Sequence, residues 1–118
     1  MAPSGLPYTP IVRAGDWLVV SGQLGMLDGK LVNGGVVAEL RQAVANMAAL
    51  LEGEGASLSD VVKTTVFLRH LVTDYDAMNE AYADCFGDHR PARSAIGVAE
   101  LPRGALVEVE AWARRGAG

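Results

Sequence analysis

The segment that most constrains this chain is near its end. Residues 106–113 alternate strictly, with Val107, Val109, Ala111 and Ala113 on one side and Leu106, Glu108, Glu110 and Trp112 on the other. Side chains of a strand point to opposite faces at a period of two. The chain therefore contains a strand with one wholly apolar face, which must be buried. Its other face mixes two carboxylates with a large aromatic and an aliphatic side chain. A sheet of this kind is covered on one side by other elements, and its second side needs a different explanation.

The remaining elements follow from periodicity. Residues 10–14 read as a short extended segment. Residues 17–21 (WLVVS) read as a β-prone run, and Asp28-Gly29 between Leu27 and Leu31 reads as a hairpin turn. Over 36–51, Val36, Leu40, Val44, Met47 and Leu51 recur at spacings of three and four, the stripe of an amphipathic helix. Glu39, Arg41, Gln42 and Asn46 fall off or beside that stripe, and Gly53 and Gly55 stop it. Residues 61–70 (VVKTTVFLRH) are rich in β-branched side chains and predict a central strand. Thr73 or Asp74 is positioned to cap a second helix with Tyr75, Met78, Tyr82 and Cys85-Phe86 on its apolar face, ended by Gly87. Residues 92–98 predict a strand, and Pro102-Arg103-Gly104 a turn.

The order is thus β-β-β-α-β-α-β-β. It predicts an α+β domain of two layers, a mixed sheet of five to six strands with two helices on one face, over residues 1–118 as one domain. Two helices cannot cover both faces, and self-association is the cheapest cover for the other.

Composition narrows the function. The chain has 118 residues, 10 basic against 14 acidic side chains, and a net charge of −4. Only Lys30 and Lys63 are lysines, and the arginines are scattered apart from Arg114-Arg115, so no phosphate-tracking stripe exists and no nucleic-acid partner is expected. One cysteine, Cys85, excludes an internal disulfide and a cysteine-rich zinc site. With two histidines, His70 and His89, no metal is expected. Cys85 reads as a structural thiol on a helix stripe, and both histidines as surface groups. No targeting segment or membrane-length apolar run is visible, which predicts a cytoplasmic protein without a membrane partner. Glycine-rich phosphate loops and nucleophile elbows are absent, and no cofactor is expected.

Two polar features stand on elements that ought to be buried. Arg93 begins a strand in Pro91-Ala92-Arg93-Ser94, where it is either a solvated strand end or a planar fork for a carboxylate. Glu108 and Glu110 share a face with Leu106 and Trp112. They are either an exposed edge or partly desolvated acids with pKa raised into the range of proton transfer. Residue types alone leave both pairs of readings open.

Three segments decide between them by likeness. Val20-Ser21-Gly22-Gln23 is the first. Asp60-Val61-Val62-Lys63-Thr64-Thr65-Val66-Phe67-Leu68, followed by Met78-Asn79-Glu80 and Tyr82, is the second. Arg90-Pro91-Ala92-Arg93-Ser94, with Leu101-Pro102-Arg103-Gly104 running on to Glu108-Val109-Glu110-Ala111, is the third. Together they resemble the RidA/YjgF family of imine/enamine deaminases, from Pro7 to Ala113. The resemblance implies a chorismate-mutase-like fold, a homotrimer, and a small-molecule carboxylate site at each subunit interface. It implies that Arg93 binds the carboxylate, that Glu108 positions or activates water, and that Tyr8, Ser21, Asn79 and Ala95 line the substrate. The implied reaction is hydrolysis of reactive 2-imino acids or their enamine tautomers to 2-keto acids and ammonia. Two departures, Pro10 in Leu6-Pro7-Tyr8-Thr9-Pro10 and Ala95 two positions after the arginine, point to the alternative. That alternative is a non-catalytic, metabolite-binding or regulatory trimer using the same cleft.

Overall fold

A computed structural model describes residues 5–118; Met1 to Ser4, the first residues of the expected 1–118 unit, lie outside the described residues. The strand anticipated at the end of the chain, β7 (Val107–Arg114), is the centre of the fold. Its apolar face is fully buried, with Val107, Val109, Ala111 and Ala113 all at the core. The other strands are β1 (Ile11–Ala14), β2 (Trp17–Gln23), a small ribbon of β3 (Met26–Leu27) and β4 (Lys30–Leu31), β5 (Val61–Leu68) and β6 (Ala92–Gly97). The main sheet has five strands in the order β1-β2-β7-β5-β6. β5 and β6 run parallel, and every other pair is antiparallel. The sheet is mixed, as the element order predicts.

The topology places both helices. β2 and β5 flank β7 and oppose it, so they run parallel to each other and need a crossover. Helix α1 (Gly35–Gly53) supplies it, and α2 (Leu71–Phe86) supplies the one from β5 to β6. Both pack on the same face. The α1 stripe of Val36, Leu40, Val44, Met47 and Leu51 is buried, joined by Ala43. From α2 come Met78, Ala81, Tyr82 and Phe86. Truncating a fully buried member such as Leu40 to alanine costs roughly 2–5 kcal/mol. The Asp28-Gly29 turn has positive φ at both residues (52° and 84°), the backbone that matches the twist of a two-residue hairpin.

Three details differ from the sequence reading. Helix α2 begins at Leu71, with His70 rather than Thr73 or Asp74 at its cap position. The Asp74 amide already donates to the His70 carbonyl at 2.9 Å, so the first turn closes before either side chain could cap it. Asp74 instead lies in the first turn, where a carboxylate favours the helix dipole. The strand expected over 61–70 ends at Leu68. Glu39, set beside the apolar stripe of α1, is only 6% exposed. The chain entering β7 crosses α1 there, and Glu39 Oε1 accepts the Leu106 amide at 2.9 Å.

Register fixes what each face carries. Val12, Trp17, Val19, Thr65, Phe67, Ile96, Glu108, Glu110 and Trp112 share the face without helices. Trp112 is 48% exposed and Trp17 37%, and their rings meet edge to face at 6.2 Å. No helix of the described residues is long and apolar enough to cross a membrane.

Candidate functional site

Arg93 and Glu108 lie on opposite faces of the sheet. Arg93 pairs in parallel register with Thr64, whose side chain is buried under the helices. Glu108 pairs with Phe67 on the open face. The two therefore do not meet within one chain, and each heads a separate cavity.

The Arg93 cavity holds about 480 Å³ and is lined by Leu71, Val72, Tyr75, Asp76, Arg93 and Ala95. Edge strand β6 offers Arg93 no carboxylate, and α2 holds it instead. Its guanidinium carbon sits 4.8 Å from the Tyr82 ring centroid and 5.9 Å from that of Tyr75. Such cation–π contacts are each worth about 0.5–2 kcal/mol. Nη1 approaches Met78 Sδ at 3.7 Å, and Nη2 donates to Tyr75 Oη over a long 3.4 Å. Tyr82 is itself fixed, since its hydroxyl and that of buried Thr64 bond at 2.6 Å. Burial pushes the Tyr82 phenol up. The result is a cation pinned by rings and sulfur, with most of its five N–H donors free of an acceptor among the described residues. Such a guanidinium has the donor geometry to accept a planar anion.

On the other face, two adjoining cavities of about 290 and 390 Å³ share Tyr8, Gly22, Pro102 and Glu108. Glu108 is half-buried, and its carboxyl lies flat against Gly22. A Cβ at position 22 would overlap Oε2 and lie 2.7 Å from Cδ. Burial, and secondarily the charge of Glu110, raise the Glu108 pKa above the ordinary carboxylate range. A carboxylate of this kind is a stronger base than a solvated one. Ser21 joins this half-site. Its Oγ donates to the Thr9 carbonyl at 2.7 Å and its amide to the Pro10 carbonyl at 2.8 Å. It thereby ties down the segment that carries Tyr8, while its hydroxyl oxygen keeps acceptor capacity toward the cleft.

The expected site residues thus fall into two groups: Arg93 with Ala95, and Tyr8 and Ser21 with Glu108. Asn79 lines neither set of cavities. It sits on α2 four residues from Tyr75, with its Oδ1 buried and without a partner among the described residues. The sequence reading did not single out Gly22 and Pro102 beside Glu108. It assigned Tyr75 and Tyr82 to the core stripe, whose 75-78-82 spacing carries the only sign that one helix face meets Arg93. His89 bonds the Val61 carbonyl through Nε2 at 2.7 Å, and Cys85 is half-buried with its thiol pushed up by burial, so neither joins the site. Among the described residues no group of three or more His, Cys, Asp or Glu is placed to hold a metal ion.

Comparison with known proteins bears on this arrangement. The family model described as Endoribonuclease L-PSP matches residues 1–115. The chain belongs to this family, the RidA/YjgF family. Among curated RidA/YjgF relatives, human 2-iminobutanoate/2-iminopropanoate deaminase is 42% identical over 118 residues, 98% of this chain and 85% of that one. A RutC family protein of Pyrococcus horikoshii is 41% identical over 109 residues, 91% of this chain and 86% of its own. Among solved structures, the YjgF gene product of E. coli superposes with a TM-score of 0.88 at 36% identity, covering 97% of this chain and 93% of that one. RidA from the Antarctic bacterium Psychrobacter gives 0.88 at 35%, covering 96% and 92%. The α+β fold with two helices and a five-stranded mixed sheet is therefore that of the RidA/YjgF family, and deaminase homologues support a general deaminase function.

Proposed function

We propose that this protein hydrolyses reactive 2-imino acids, and the enamines that tautomerise to them, in a site built between copies of the chain. Arg93 of one copy grips the substrate carboxylate, and Glu108 of its neighbour handles the water. The observation that carries this reading is the placement of Arg93 and Glu108 on opposite faces of one sheet, each in its own cavity. A homotrimer in which the open face of one copy packs along the β6–α2 edge of the next joins the two half-sites and covers Trp17 and Trp112 as well.

The chemistry is light. A 2-aminoacrylate-type enamine first takes a proton at its methylene carbon to reach the imine. Water then adds to the imine carbon: its oxygen forms the new C–O bond as the C=N π pair moves to nitrogen, and Glu108 takes a water proton and passes it to that nitrogen, becoming a free carboxylate again. The carbinolamine collapses as the hydroxyl proton passes through Glu108 to nitrogen. The C–N bond breaks, leaving a 2-keto acid and ammonia. Arg93 fixes the substrate so that water meets the imine carbon at short range, and a raised Glu108 pKa suits both halves of the shuttle. Ser21 and Tyr8 line the water side, and Ala95 the carboxylate side. The reading needs no metal, organic cofactor, nucleic acid or membrane.

The test is ammonia release from imines generated in situ by an amino-acid oxidase acting on short-chain amino acids. Decay faster than the spontaneous rate, lost in Glu108→Gln, supports the reading. Tight carboxylate binding with no acceleration favours a metabolite-binding trimer instead.

A further inference from the structure

Tyr75 occupies a position that the carboxylate reading of Arg93 does not use. Its ring stands beside the guanidinium, and the residue lines the same cavity. The partner of that hydroxyl among the described residues is Arg93 Nη2, at 3.4 Å. An arginine nitrogen only donates, so Tyr75 Oη accepts there and its own O–H hydrogen remains unspent. Tyr82, the other aromatic against Arg93, is in a different state, because its hydroxyl is already bonded to Thr64 Oγ1 in the core. The remaining wall is Leu71, Val72 and Ala95, which offer no side-chain acceptor, and the Asp76 side chain at the rim.

We propose, resting on the reading of Arg93 as the carboxylate receptor, that the Tyr75 hydroxyl is a second anion donor in this site. A carboxylate in the cavity accepts from Arg93 through one oxygen or both, and takes the Tyr75 O–H on an outward lone pair. The long Nη2–Oη bond gives way or persists without cost, since Tyr75 oxygen can accept and donate at once. The hydroxyl adds a direction that the guanidinium alone does not impose. It fixes the plane of the carboxylate, and therefore where the adjoining imine carbon faces. Tyr75 is thus a binding and orienting residue selecting for monocarboxylates over neutral analogues.

Calorimetric titration of the intact protein tests this with two probes, 2-oxobutanoate and its neutral carboxamide. Tyr75→Phe keeps the ring and removes only the hydroxyl. It is expected to weaken 2-oxobutanoate about tenfold or more, the size of a lost hydrogen bond to a charged group, and to change carboxamide binding less than threefold. In turnover it should raise KM and lower kcat together, since the hydroxyl both binds and orients the carboxylate. Unchanged 2-oxobutanoate affinity in Tyr75→Phe, alongside a clear loss in Arg93→Ala, overturns the role of Tyr75 alone. An equal loss for both probes assigns Tyr75 to packing and also overturns it. No binding of 2-oxobutanoate to the unsubstituted protein overturns the carboxylate reading of Arg93 itself, and the Tyr75 proposal with it.

Discussion

The two proposed half-sites are built by opposite means. Arg93 is held by contact: rings, a thioether and a hydroxyl fix the guanidinium with no carboxylate partner among the described residues. Glu108 is prepared by deprivation: burial and the neighbouring Glu110 make its charge harder to keep. An anion receptor needs a cation that is fixed and unpaired, whereas a proton carrier needs a group close to giving its charge up. Placing the two on opposite faces of one sheet lets each be tuned without the other. Side by side in one chain they would form an ion pair, which would fill the receptor and drop the Glu108 pKa.

The strongest way to break this comparison is at Arg93. Arg93→Ala should cost 2-oxobutanoate binding roughly 2–5 kcal/mol, the size for truncating one partner of a buried charge pair. Arg93→Lys should restore little of it, since an ammonium has neither the fork nor the flat face that lies against Tyr82. Calorimetry separates these outcomes, and full rescue by lysine would reduce Arg93 to a point charge.

The Glu108 side breaks differently. Glu108→Gln should lower kcat about 10²-fold or more while leaving 2-oxobutanoate affinity nearly unchanged. Gly22→Ala should do much the same, because the added methyl displaces the carboxyl that rests on that backbone. Wild-type kcat in Glu108→Gln would move the proton shuttle to Glu110.

Stability offers a third contrast, between two carboxylates of opposite sign. Asp60 is nearly buried and accepts the amides of Ser57 at 3.0 Å and Gly118 at 2.9 Å. These bonds hold its pKa below the ordinary range, the Gly118 amide foremost. Its contribution is present above the unfolded-state pKa and is lost as pH falls through the folded one. Glu108, with a raised pKa, contributes while protonated, below the unfolded-state value, and loses that contribution as pH rises through its folded one. Asp60→Ala should therefore cost about 1–2 kcal/mol at neutral pH, with the difference from wild type fading in acid. Glu108→Gln should hold or raise the melting temperature at neutral pH. Thermal melts at several pH values check both. The smallest effect lies at the rim of the Arg93 cavity, where Asp76→Asn should tighten 2-oxobutanoate about twofold, a gain that high salt removes.

Much of this was legible in the sequence, and the misses have physical causes. The alternation of β7 specified both faces of the sheet because a period of two leaves no freedom. The stripe of α1 was as plain, yet Glu39 was set beside it, since the backbone amide it serves belongs to Leu106, 67 residues away. Thr73 and Asp74 look like caps locally, but α2 starts earlier, where the turn after β5 already closes the first helical bond. Arg93 and Glu108 were visible by likeness to a family, while their separation onto two faces depends on strand register, which no local pattern encodes. Tyr75 and Tyr82 were read as core residues because a helix stripe looks the same whether it meets valine or arginine.

In the proposed assembly one working site takes Arg93 from one copy and Glu108 from another. Arg93→Ala and Glu108→Gln chains, each nearly inactive alone, should regain activity when unfolded together and refolded as mixed oligomers. At equal input about a quarter of the interfaces would pair an intact Arg93 with an intact Glu108, so activity should rise to about a quarter of wild type. Mixed oligomers no more active than the two parents added together would contradict a site shared between copies.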